Sequence, residues 1–408
     1  MVKPCILYIS SSIGLGHVSK DLGIAGELRH ARSDLEIIWL AGHPASDVLR
    51  EAGERVIPEA ELWVGASRIA EKCTHNGQLN LVRYVYRSFP AWARNAYLFR
   101  KTIRKYNIDL VIGNEAYEID IPLVIGLLRL SVPFVMIFDF VGTDPTTGNI
   151  FDHIGSYILN AVWACDGRIY GRGKHSAIFI GELNDIPSKK FAWKHMDRRQ
   201  HAQKYYNVVG HVICFNPVDY INRIELRNRL GYGNKPLIVC SAGGTSIGRG
   251  LLELCGKAFV QLRKHLPDVH MVMVLGPRIP KESVQVPTEV EVFGHYPRLY
   301  ELFASCDVAV VQCGASSTTE LSALKTRFIY FPIEGHFEQE LVANRLTRYD
   351  AGRNMSLKST TPEMLAEAIY QLYKNPATWE SMPVDGASKA ANHILQVLDE
   401  RAVGRNRI

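Results

Sequence analysis

Residues 293–344 read FGHYPRLYELFASCDVAVVQCGASSTTELSALKTRFIYFPIEGHFEQELVAN, and this stretch decides the predicted fold. Its apolar run at 308–311 has the length of a buried strand in a parallel sheet. Gly314 follows, and the hydroxyl residues at 316–318 favour the start of a helix. A helix N-terminus offers unpaired backbone N–H groups and a partial positive charge. The stretch therefore predicts a phosphate site at the open edge of a sheet.

Glu320 lies on the first turn of the same predicted helix. A carboxylate at this position would repel a phosphate group at close range. Its better use is to accept hydrogen bonds from the vicinal hydroxyls of a sugar, as an acidic residue does for ribose in dinucleotide-binding folds. Together the two features predict a site for a nucleoside diphosphate.

Short apolar runs alternate with helical segments on both sides of this stretch. Runs at 5–12, 35–41, 109–113 and 133–138 predict strands, and a helix is expected at 121–130 between the last two. A second series begins at 235, where a strand runs into Gly243 and Gly244. This alternation is typical of doubly wound parallel sheets, and 408 residues suffice for two such cores.

Composition limits the classes of function. A net charge of +6 on a chain with 22% charged residues is too diffuse for a nucleic-acid partner. The eight cysteines contain no Cys-x-x-Cys pair, which favours buried thiols in a reducing compartment. The most apolar region, 121–138, is interrupted by Arg129 and Pro133 and is too broken to span a membrane. We therefore expect a cytoplasmic protein.

A glycine loop precedes the first predicted helix, at 18–32. Gly14 and Gly16 begin like a dinucleotide fingerprint, but the third glycine is replaced by Ser19, and no acidic residue ends the second strand. These departures disfavour hydride chemistry. His17 follows the loop, where the strand meets the helix and a side chain can face the open edge of the sheet. A single histidine at such a junction is more often structural than catalytic.

The segment QCGASSTTE at 312–320, with HYPRLYELF before it and FPIEGHFEQ after it, resembles the donor signature of UDP-sugar glycosyltransferases of GT-B fold. It is also similar to that of the bacterial N-acetylglucosaminyltransferases that make the peptidoglycan lipid precursor. The resemblance implies that Ser317 and Thr318 meet phosphate and Glu320 meets ribose. It further implies that His295 and Tyr296 hold the base, while Glu338 and Gln339 touch the donor sugar.

Two positions depart from the family pattern. Gln312 stands where plant and animal relatives carry histidine, and the asparagine that follows the acidic-Gln pair comes later, as Asn344. In relatives a glycine-rich loop closes over the donor where this chain has residues 243–246. The complete predicted donor site comprises Gly243, Gly244, Thr245, Ser246, His295, Tyr296, Gly314, Ser316, Ser317, Thr318, Glu320, Glu338 and Gln339.

The loop GLGH at 14–17 resembles the acceptor-side loop whose histidine is the general base in many members of the family. Relatives usually have proline shortly after the histidine, whereas this chain has Ser19 and Lys20. A base of this kind works best with a carboxylate that orients its imidazole. Glu115 is the predicted partner, because relatives keep an acid about a hundred residues past the histidine. Three further candidates are Asp139, Glu118 and Asp120.

The resemblance predicts two Rossmann-like domains that face a cleft, with the GT-B fold. Their expected bounds are 1–215 for the acceptor domain, 216–234 for a linker, 235–375 for the donor domain and 376–408 for a helical segment that crosses back. The expected activity is inverting transfer of a sugar from a UDP-sugar to a hydroxyl of a lipid, a glycan or a small natural product. A UDP-sugar epimerase and an idle nucleotide-sugar-binding protein are the alternatives.

No metal and no cofactor beyond the UDP-sugar are expected. The chain has no Asp-x-Asp site, and the paired glutamates of retaining relatives are missing because Phe328 stands eight positions past Glu320. The segment at 189–206 carries six Lys or Arg residues, one acid and several aromatic residues. It predicts peripheral contact with an anionic membrane or, in the favoured interpretation, a solvated surface, because its apolar residues follow no steady helical period.

Overall fold

The computed structural model describes residues 3–405 except 12–14, 66–73, 76–77, 80, 146–148, 193–194, 245–247, 376–377 and 381. Two compact units divide the chain, one formed by 1–214 with 384–408 and the other by 215–383. Each unit is built on a six-stranded parallel sheet with helices packed on it. The predicted fold class, two doubly wound parallel-sheet domains, is therefore confirmed.

The first unit contains eight strands and eight helices among its described residues. The strands are β1 Cys5–Ile9, β2 Glu36–Leu40, β3 Thr74–His75, β4 Gln78–Leu79, β5 Leu110–Asn114, β6 Phe134–Phe138, β7 Ser176–Ile180 and β8 Tyr206–Gly210. The helices are α1 Leu15–Ala31, α2 Ala45–Glu51, α3 Leu81–Lys105, α4 Tyr117–Val124, α5 Ile150–Trp163, α6 Gly167–Tyr170, α7 Arg198–Tyr205 and, from the end of the chain, α14 Gly386–Arg405.

The described part of the second unit contains six strands and six helices. The strands are β9 Leu237–Ser241, β10 His270–Val274, β11 Glu291–Phe293, β12 Val308–Gln312, β13 Arg327–Phe331 and β14 Arg353–Asn354. The helices are α8 Arg223–Leu230, α9 Arg249–Leu262, α10 Leu299–Ser305, α11 Ala315–Ala323, α12 Phe337–Arg348 and α13 Pro362–Lys374.

Both large sheets bury their central strands on both faces. The order in the first unit is β2-β1-β5-β6-β7-β8, and every residue of β1, β5, β6 and β7 is buried. The order in the second unit is β11-β10-β9-β12-β13-β14. Parallel strands covered on both faces read as continuous apolar runs, and this is why the sequence located them well.

Helix α14 completes the first unit although it is the last helix in the chain. Its apolar face packs on α1 in one core cluster, whose buried members on the two helices include Val18, Ile24, Leu28, Ala390, Ile394 and Leu398. The backbone N–H of Gly386 donates to the carbonyl of His211 at 3.0 Å, which ties the helix start to the segment after β8.

Two local predictions differ from the structure. The helix expected at 121–130 is α4, at Tyr117–Val124, and Gly126 with φ of +81° follows its end. The range predicted as a linker, 216–234, contains a 3-10 turn at Pro217–Tyr220 and helix α8, and both belong to the second unit.

Asp307 fixes α8 to the second sheet. Its Oδ2 accepts from Arg227 Nη2 at 2.6 Å and from the backbone N–H of Leu237 at 2.8 Å. Arg223 Nη1 lies 3.3 Å from Oδ1. The carboxylate is buried, so its removal would leave guanidinium groups and a strand-start N–H without their acceptor.

We expect Asp307→Ala to lower the free energy of unfolding by about 3 to 5 kcal/mol, the usual cost of removing one partner from a buried ion pair. Urea unfolding followed by circular dichroism measures the change. Glu289→Ala is the matched control, because it removes an exposed ion pair with Arg263 and should leave the transition in place. Equal shifts in the two variants would contradict the role given to Asp307.

Cysteine state and hydropathy bear on the predicted location. The seven cysteines whose surroundings are described are free thiols. None of the helices in the described ranges combines the length and the apolar character that crossing a bilayer requires. The cytoplasmic location stays a prediction.

Candidate functional site

Three neighbouring strands of the first sheet end at one edge, and a titratable side chain follows each of them. The strands are β1, β5 and β6, which are adjacent in the sheet order. His17 lies in the first turn of α1, Glu115 directly follows β5, and Asp139 directly follows β6. Because the carboxyl ends of parallel strands share one edge, three segments far apart in sequence meet there.

His17 lies between the two carboxylates. Its Nδ1 is 3.0 Å from Asp139 Oδ2, and its Nε2 is 3.7 Å from Glu115 Oε2. The ammonium of Lys20 contacts the same Oδ2 of Asp139. Glu115 was the predicted partner, and the structure places it beside His17, but Asp139 is the closer carboxylate. The other candidates, Glu118 and Asp120, bond elsewhere, with Asn95 and Tyr170 respectively.

The backbone at Glu115 adopts the left-handed region, with φ of +47°. This conformation is uncommon for a residue with a side chain. The N–H of Glu115 donates to the carbonyl of Ile137 on β6 at 3.0 Å, so the pairing of β5 with β6 holds the turn. Such held turns are frequent at functional sites.

Charge controls the protonation of His17. Burial alone would lower the pKa of His17, but the carboxylates of Glu115 and Asp139 outweigh burial and raise it to about 9, against a smaller lowering by Lys20. Burial would raise the pKa of Asp139, but Lys20 and His17 reverse this and hold that pKa far below its usual value. At neutral pH the free site therefore holds an imidazolium beside an ionised Asp139.

The residues of the predicted glycine loop lie partly in the described range. Gly14 falls outside it. Gly16 was expected in the loop before the helix, but α1 begins at Leu15, so Gly16 belongs to the first helical turn. His17 is thus held by a helix from the start, and its neighbour Lys20 lies one turn further on the same helix.

A divalent cation fits the His17 cluster poorly, because the Lys20 ammonium already occupies Asp139. A second group of potential ligands, Glu182, Asp185 and His211, follows β7 and β8. There the two carboxylates cap each other's backbone N–H groups around the 3-10 turn at Leu183–Asp185, which is a structural use. The expectation that no metal takes part in the reaction stays a prediction.

In the second unit, α11 begins where β12 ends, and β12 lies between β9 and β13. Gly314 precedes the helix in extended conformation, and no described side chain caps the first turn. Ser316 and Ser317 are partly exposed there. Backbone N–H groups and two hydroxyls can therefore meet an anion at this helix start.

The hydroxyl of Thr318 is used inside the helix. Thr318 is fully buried, and its Oγ1 donates to the carbonyl of Gly314 at 2.8 Å. Thr319 does the same with Ala315 at 2.7 Å. Such bonds one turn back are common for Ser and Thr within helices. The Thr318 hydroxyl is thus engaged within its own helix, and its phosphate contact stays a prediction.

Glu320 points from the same helix into a buried position. Only 7% of its surface is exposed, and burial raises the pKa of its carboxyl to about 8. No side-chain hydrogen bond of Glu320 is found among the described residues. A buried carboxyl in this situation gains from a ligand that donates hydrogen bonds, as the hydroxyls of a ribose do.

Arg345 was missed by the sequence analysis. It is buried on α12, and its Nη2 lies 3.1 Å from Thr319 Oγ1 and 3.5 Å from the carbonyl of Ala315. The guanidinium therefore adds a positive charge within one turn of the α11 N-terminus. An arginine inside a polar helix gives no signal in sequence, because its contacts come from a different element.

The glycine loop after β9 lies against the loop after β10. Gly243 has φ of +75°, and Gly276 has φ of +87°. A Cβ atom added at Gly276 would lie 2.0 Å from the carbonyl oxygen of Gly243. Gly244 belongs to the same turn, while Thr245 and Ser246 lie outside the described residues. Gly276 therefore needs glycine for this close approach, whereas Gly243 needs it for its backbone conformation alone.

The remaining predicted residues follow β11 and β13, at the same edge. His295 is exposed, and Tyr296 packs edge-on against Phe293 with ring centroids 5.2 Å apart. Glu338 and Gln339 lie in the first turn of α12 and are partly exposed. The Oε1 of Gln339 accepts from the backbone N–H of Ile333 at 2.8 Å, which fixes the side chain.

One family model matches most of the second unit together with the first part of α14. Residues 238–397 match the family model described as the glycosyltransferase family 28 C-terminal domain. An uncharacterized glycosyltransferase of Methanopyrus kandleri is 25% identical over 194 residues, which cover 47% of this chain and 54% of the relative. A UDP-N-acetylglucosamine–N-acetylmuramyl-(pentapeptide) pyrophosphoryl-undecaprenol N-acetylglucosamine transferase of Carboxydothermus hydrogenoformans is 24% identical over 242 residues, 58% of this chain and 55% of the relative.

The chain thus spans about half the length of the curated relatives it matches. Structural similarity extends further. The glycosyltransferase SnogD of Streptomyces nogalater superposes with a TM-score of 0.59 at 15% identity, over 96% of this chain and 100% of that one. The predicted resemblance is confirmed: the chain has the GT-B fold, and residues 238–397 match the model of the glycosyltransferase family 28 C-terminal domain.

Proposed function

We propose that this protein transfers a sugar from a UDP-sugar to a hydroxyl group of an acceptor, with inversion at the anomeric carbon and without a metal ion. The observation that carries the proposal is the buried His17, paired with Asp139 and flanked by Glu115 at the carboxyl edge of the first sheet. The family 28 domain supports the reaction class. The name of the Carboxydothermus relative supports a UDP-sugar donor and a lipid-linked acceptor.

Unprotonated His17 is the base in the proposed reaction. Asp139 pairs with Nδ1 and leaves Nε2 to take the proton of the acceptor hydroxyl. Glu115, near Nε2, is placed to orient that hydroxyl. The acceptor oxygen forms a bond to the anomeric carbon while the bond from that carbon to the β-phosphate oxygen breaks, and its electron pair leaves with UDP. One displacement inverts the anomeric centre.

The leaving diphosphate needs positive charge as it departs. In this proposal the N-terminus of α11, the hydroxyls of Ser316 and Ser317, and the nearby guanidinium of Arg345 supply it. Such an arrangement performs the charge stabilisation that a divalent ion gives elsewhere. His295, Tyr296, Glu338 and Gln339 keep their predicted roles at the base and the donor sugar.

A thermal-shift screen against UDP, GDP, dTDP, ADP, NAD and common sugar nucleotides, with and without magnesium, tests the donor. Stabilisation grows with the logarithm of ligand concentration over the dissociation constant, so micromolar binding is visible. A selective shift with UDP or one UDP-sugar supports the proposal. A shift with another nucleotide replaces the donor, and no shift with any of them overturns the donor assignment.

Product analysis separates the alternatives. A UDP-sugar epimerase would convert the sugar nucleotide with no acceptor added, and an idle binding protein would bind UDP and release nothing. The proposed transferase releases UDP and forms a glycoside when lipid, glycan and small-molecule acceptors are supplied. The position of His17 favours transfer, because an epimerase of this kind needs no base for an acceptor hydroxyl.

Donor affinity should depend on pH through Glu320. Burial raises the pKa of its free carboxyl to about 8, and ribose hydroxyls donate best to the ionised form. UDP binding should therefore tighten as pH rises from 7 to 8 and level off above that, by at most about tenfold per pH unit. Isothermal titration calorimetry measures the affinity at each pH.

Matched variants complete this test. Glu320→Gln should remove the pH dependence, because the amide does not titrate. Glu334→Gln is the control, since Glu334 is exposed and pairs with Lys358 on the surface. Affinity that stays level from pH 7 to 9 in the wild type would rule out a ribose contact through ionised Glu320.

The burial of several side chains in the segment 189–206 argues against membrane contact through it. Phe191, Arg198 and Tyr206 are buried, and Arg198 donates to the carbonyl of Thr143. Trp193 and Lys194 lie outside the described residues. The aromatic residues of the segment that are described as buried belong to the core and offer nothing to a bilayer.

A different face carries the proposed lipid contact. Helix α3 contains seven Lys or Arg residues and no acid, and Phe89 and Tyr97 are 70% and 72% exposed on it. Helix α5 packs on α3 and exposes a stripe formed by Ile150, Ile154, Tyr157 and Ile158. Exposed apolar residues beside a helix that carries basic but no acidic residues favour contact with an anionic bilayer. Co-sedimentation with phosphatidylglycerol and phosphatidylcholine vesicles tests this, and Ile154→Asp should abolish binding to the anionic vesicles.

A further inference from the structure

Lys20 lies one turn after His17 on α1. Relatives of the family usually have a proline shortly after the histidine. The side chain of Lys20 is 7% exposed, and its ammonium contacts Asp139 Oδ2. The same oxygen is 3.0 Å from His17 Nδ1. Two cations therefore share one buried carboxylate oxygen. A lysine side chain is rarely buried to this extent unless its charge is paired.

Charged groups face His17 from three elements. Helix α1 contributes Lys20 and Asp21, the turn after β5 contributes Glu115, and the turn after β6 contributes Asp139. Asp21 is held by the hydroxyls of Tyr8 and Ser10 and by the amide of Asn114. Lys20 is the positive group in this set besides the imidazolium itself.

We propose that Lys20 is a positioning residue that shares Asp139 with His17 and thereby keeps the imidazolium able to release its proton within the reaction cycle. The proposal rests on the proposed function, in which His17 must be neutral to accept a proton. Each cation weakens the hold of Asp139 on the other. Without Lys20 the whole charge of Asp139 would act on His17, and the base would spend less time in its neutral form.

The electrostatics agree with this geometry. Burial lowers the pKa of His17, whereas the carboxylates of Glu115 and Asp139 raise it. Lys20 lowers it again, and the resulting pKa of His17 is about 9. Removing the positive charge of Lys20 should move that pKa further upward. A salt bridge with a purely structural role would orient Asp139 without such a shift, because orientation alone does not change the charge around the ring.

The test measures the titration of His17 directly. The full chain, labelled with ¹³C and ¹⁵N in its histidines, is titrated by NMR, and His17→Gln assigns the signal among the 14 histidines. In Lys20→Gln the amide can still donate to Asp139 but carries no charge. We expect its His17 midpoint to rise by about one pH unit. Lys20→Arg keeps the positive charge, so its His17 midpoint should equal that of the wild type.

An unchanged or lowered midpoint in Lys20→Gln would overturn the proposal. If Lys20→Gln does not fold, Lys20→Met carries the same expectation with a side chain of similar volume. Asp139→Asn gives the opposite sign, because loss of the carboxylate should lower the midpoint.

Kinetics separates this inference from the proposed function. With donor and acceptor in hand, the limb of kcat/KM that rises with pH should move upward in Lys20→Gln by the same amount as the NMR midpoint. Activity near neutral pH should fall about tenfold and return at higher pH, which a merely structural defect would not do. A shifted midpoint in a protein that forms no glycoside would support the effect of Lys20 on His17 and overturn the transferase proposal.

Discussion

Replacing His17 with alanine is expected to lower kcat by about 10² to 10⁴-fold, the usual contribution of a positioned general base. The proposed donor contacts all lie in the second unit. The dissociation constant of UDP should therefore change by less than about threefold. The variant loses stabilisation of the transition state, whereas donor binding in the ground state is retained. Turnover with UDP-sugar and acceptor, together with calorimetric UDP binding, measures both quantities.

The control for this variant is His43→Ala. His43 is exposed and pairs with Asp47 on the surface, so its loss should leave turnover unchanged. The wild-type enzyme should also show kcat/KM rising with pH up to about 9, because only neutral His17 accepts a proton. His17→Ala should lose this limb. Full turnover in His17→Ala would remove His17 from the mechanism.

The second large effect is expected at Gly276. An alanine Cβ there would overlap the carbonyl oxygen of Gly243, 2.0 Å away, at a residue whose φ is +87°. Left-handed strain and overpacking together should lower the free energy of unfolding by about 3 kcal/mol or more. Because the overlap displaces the loop after β9, UDP affinity should fall as well.

Gly231→Ala measures the cost of the left-handed backbone conformation without a steric clash. Gly231 has φ of +82°, and nothing lies within 4 Å of the Cβ position. We expect a loss of about 1 to 2 kcal/mol there, from φ alone, with no change in UDP affinity. Urea unfolding and calorimetry compare the variants. Equal losses of stability at the two glycines would mean that the Gly243 loop yields easily and does not need its close contact with Gly276.

Sequence reasoning located the features that depend on local pattern. Buried strands read as apolar runs, and the helix start after Gly314 was visible from its glycine and hydroxyl residues. His17 and Glu115 were placed correctly at one edge, because the carboxyl ends of parallel strands always share an edge.

The contacts that sequence reasoning missed depend on tertiary distance. Asp139 was named as a further candidate, but its closer approach to His17 than that of Glu115 follows from how β6 pairs with β5. The buried Arg345 beside α11 is positioned by α12, and the Thr318 hydroxyl bonds to its own helix. A basic segment looked exposed by composition, yet Arg198 is buried through its bonds to Thr143 and Asp144.

Helix α14 makes the first unit the last to be finished. During synthesis the first sheet leaves the ribosome long before Gly386 does, and translating the intervening residues 215–383 takes roughly 10 to 30 seconds. For that interval the face that α14 will cover, including Val18, Ile24 and Leu28, has no partner from its own chain. The nascent protein thus carries an uncovered apolar surface for a time that exceeds most domain folding times, and a shielding factor on the ribosome would be of most use to it then.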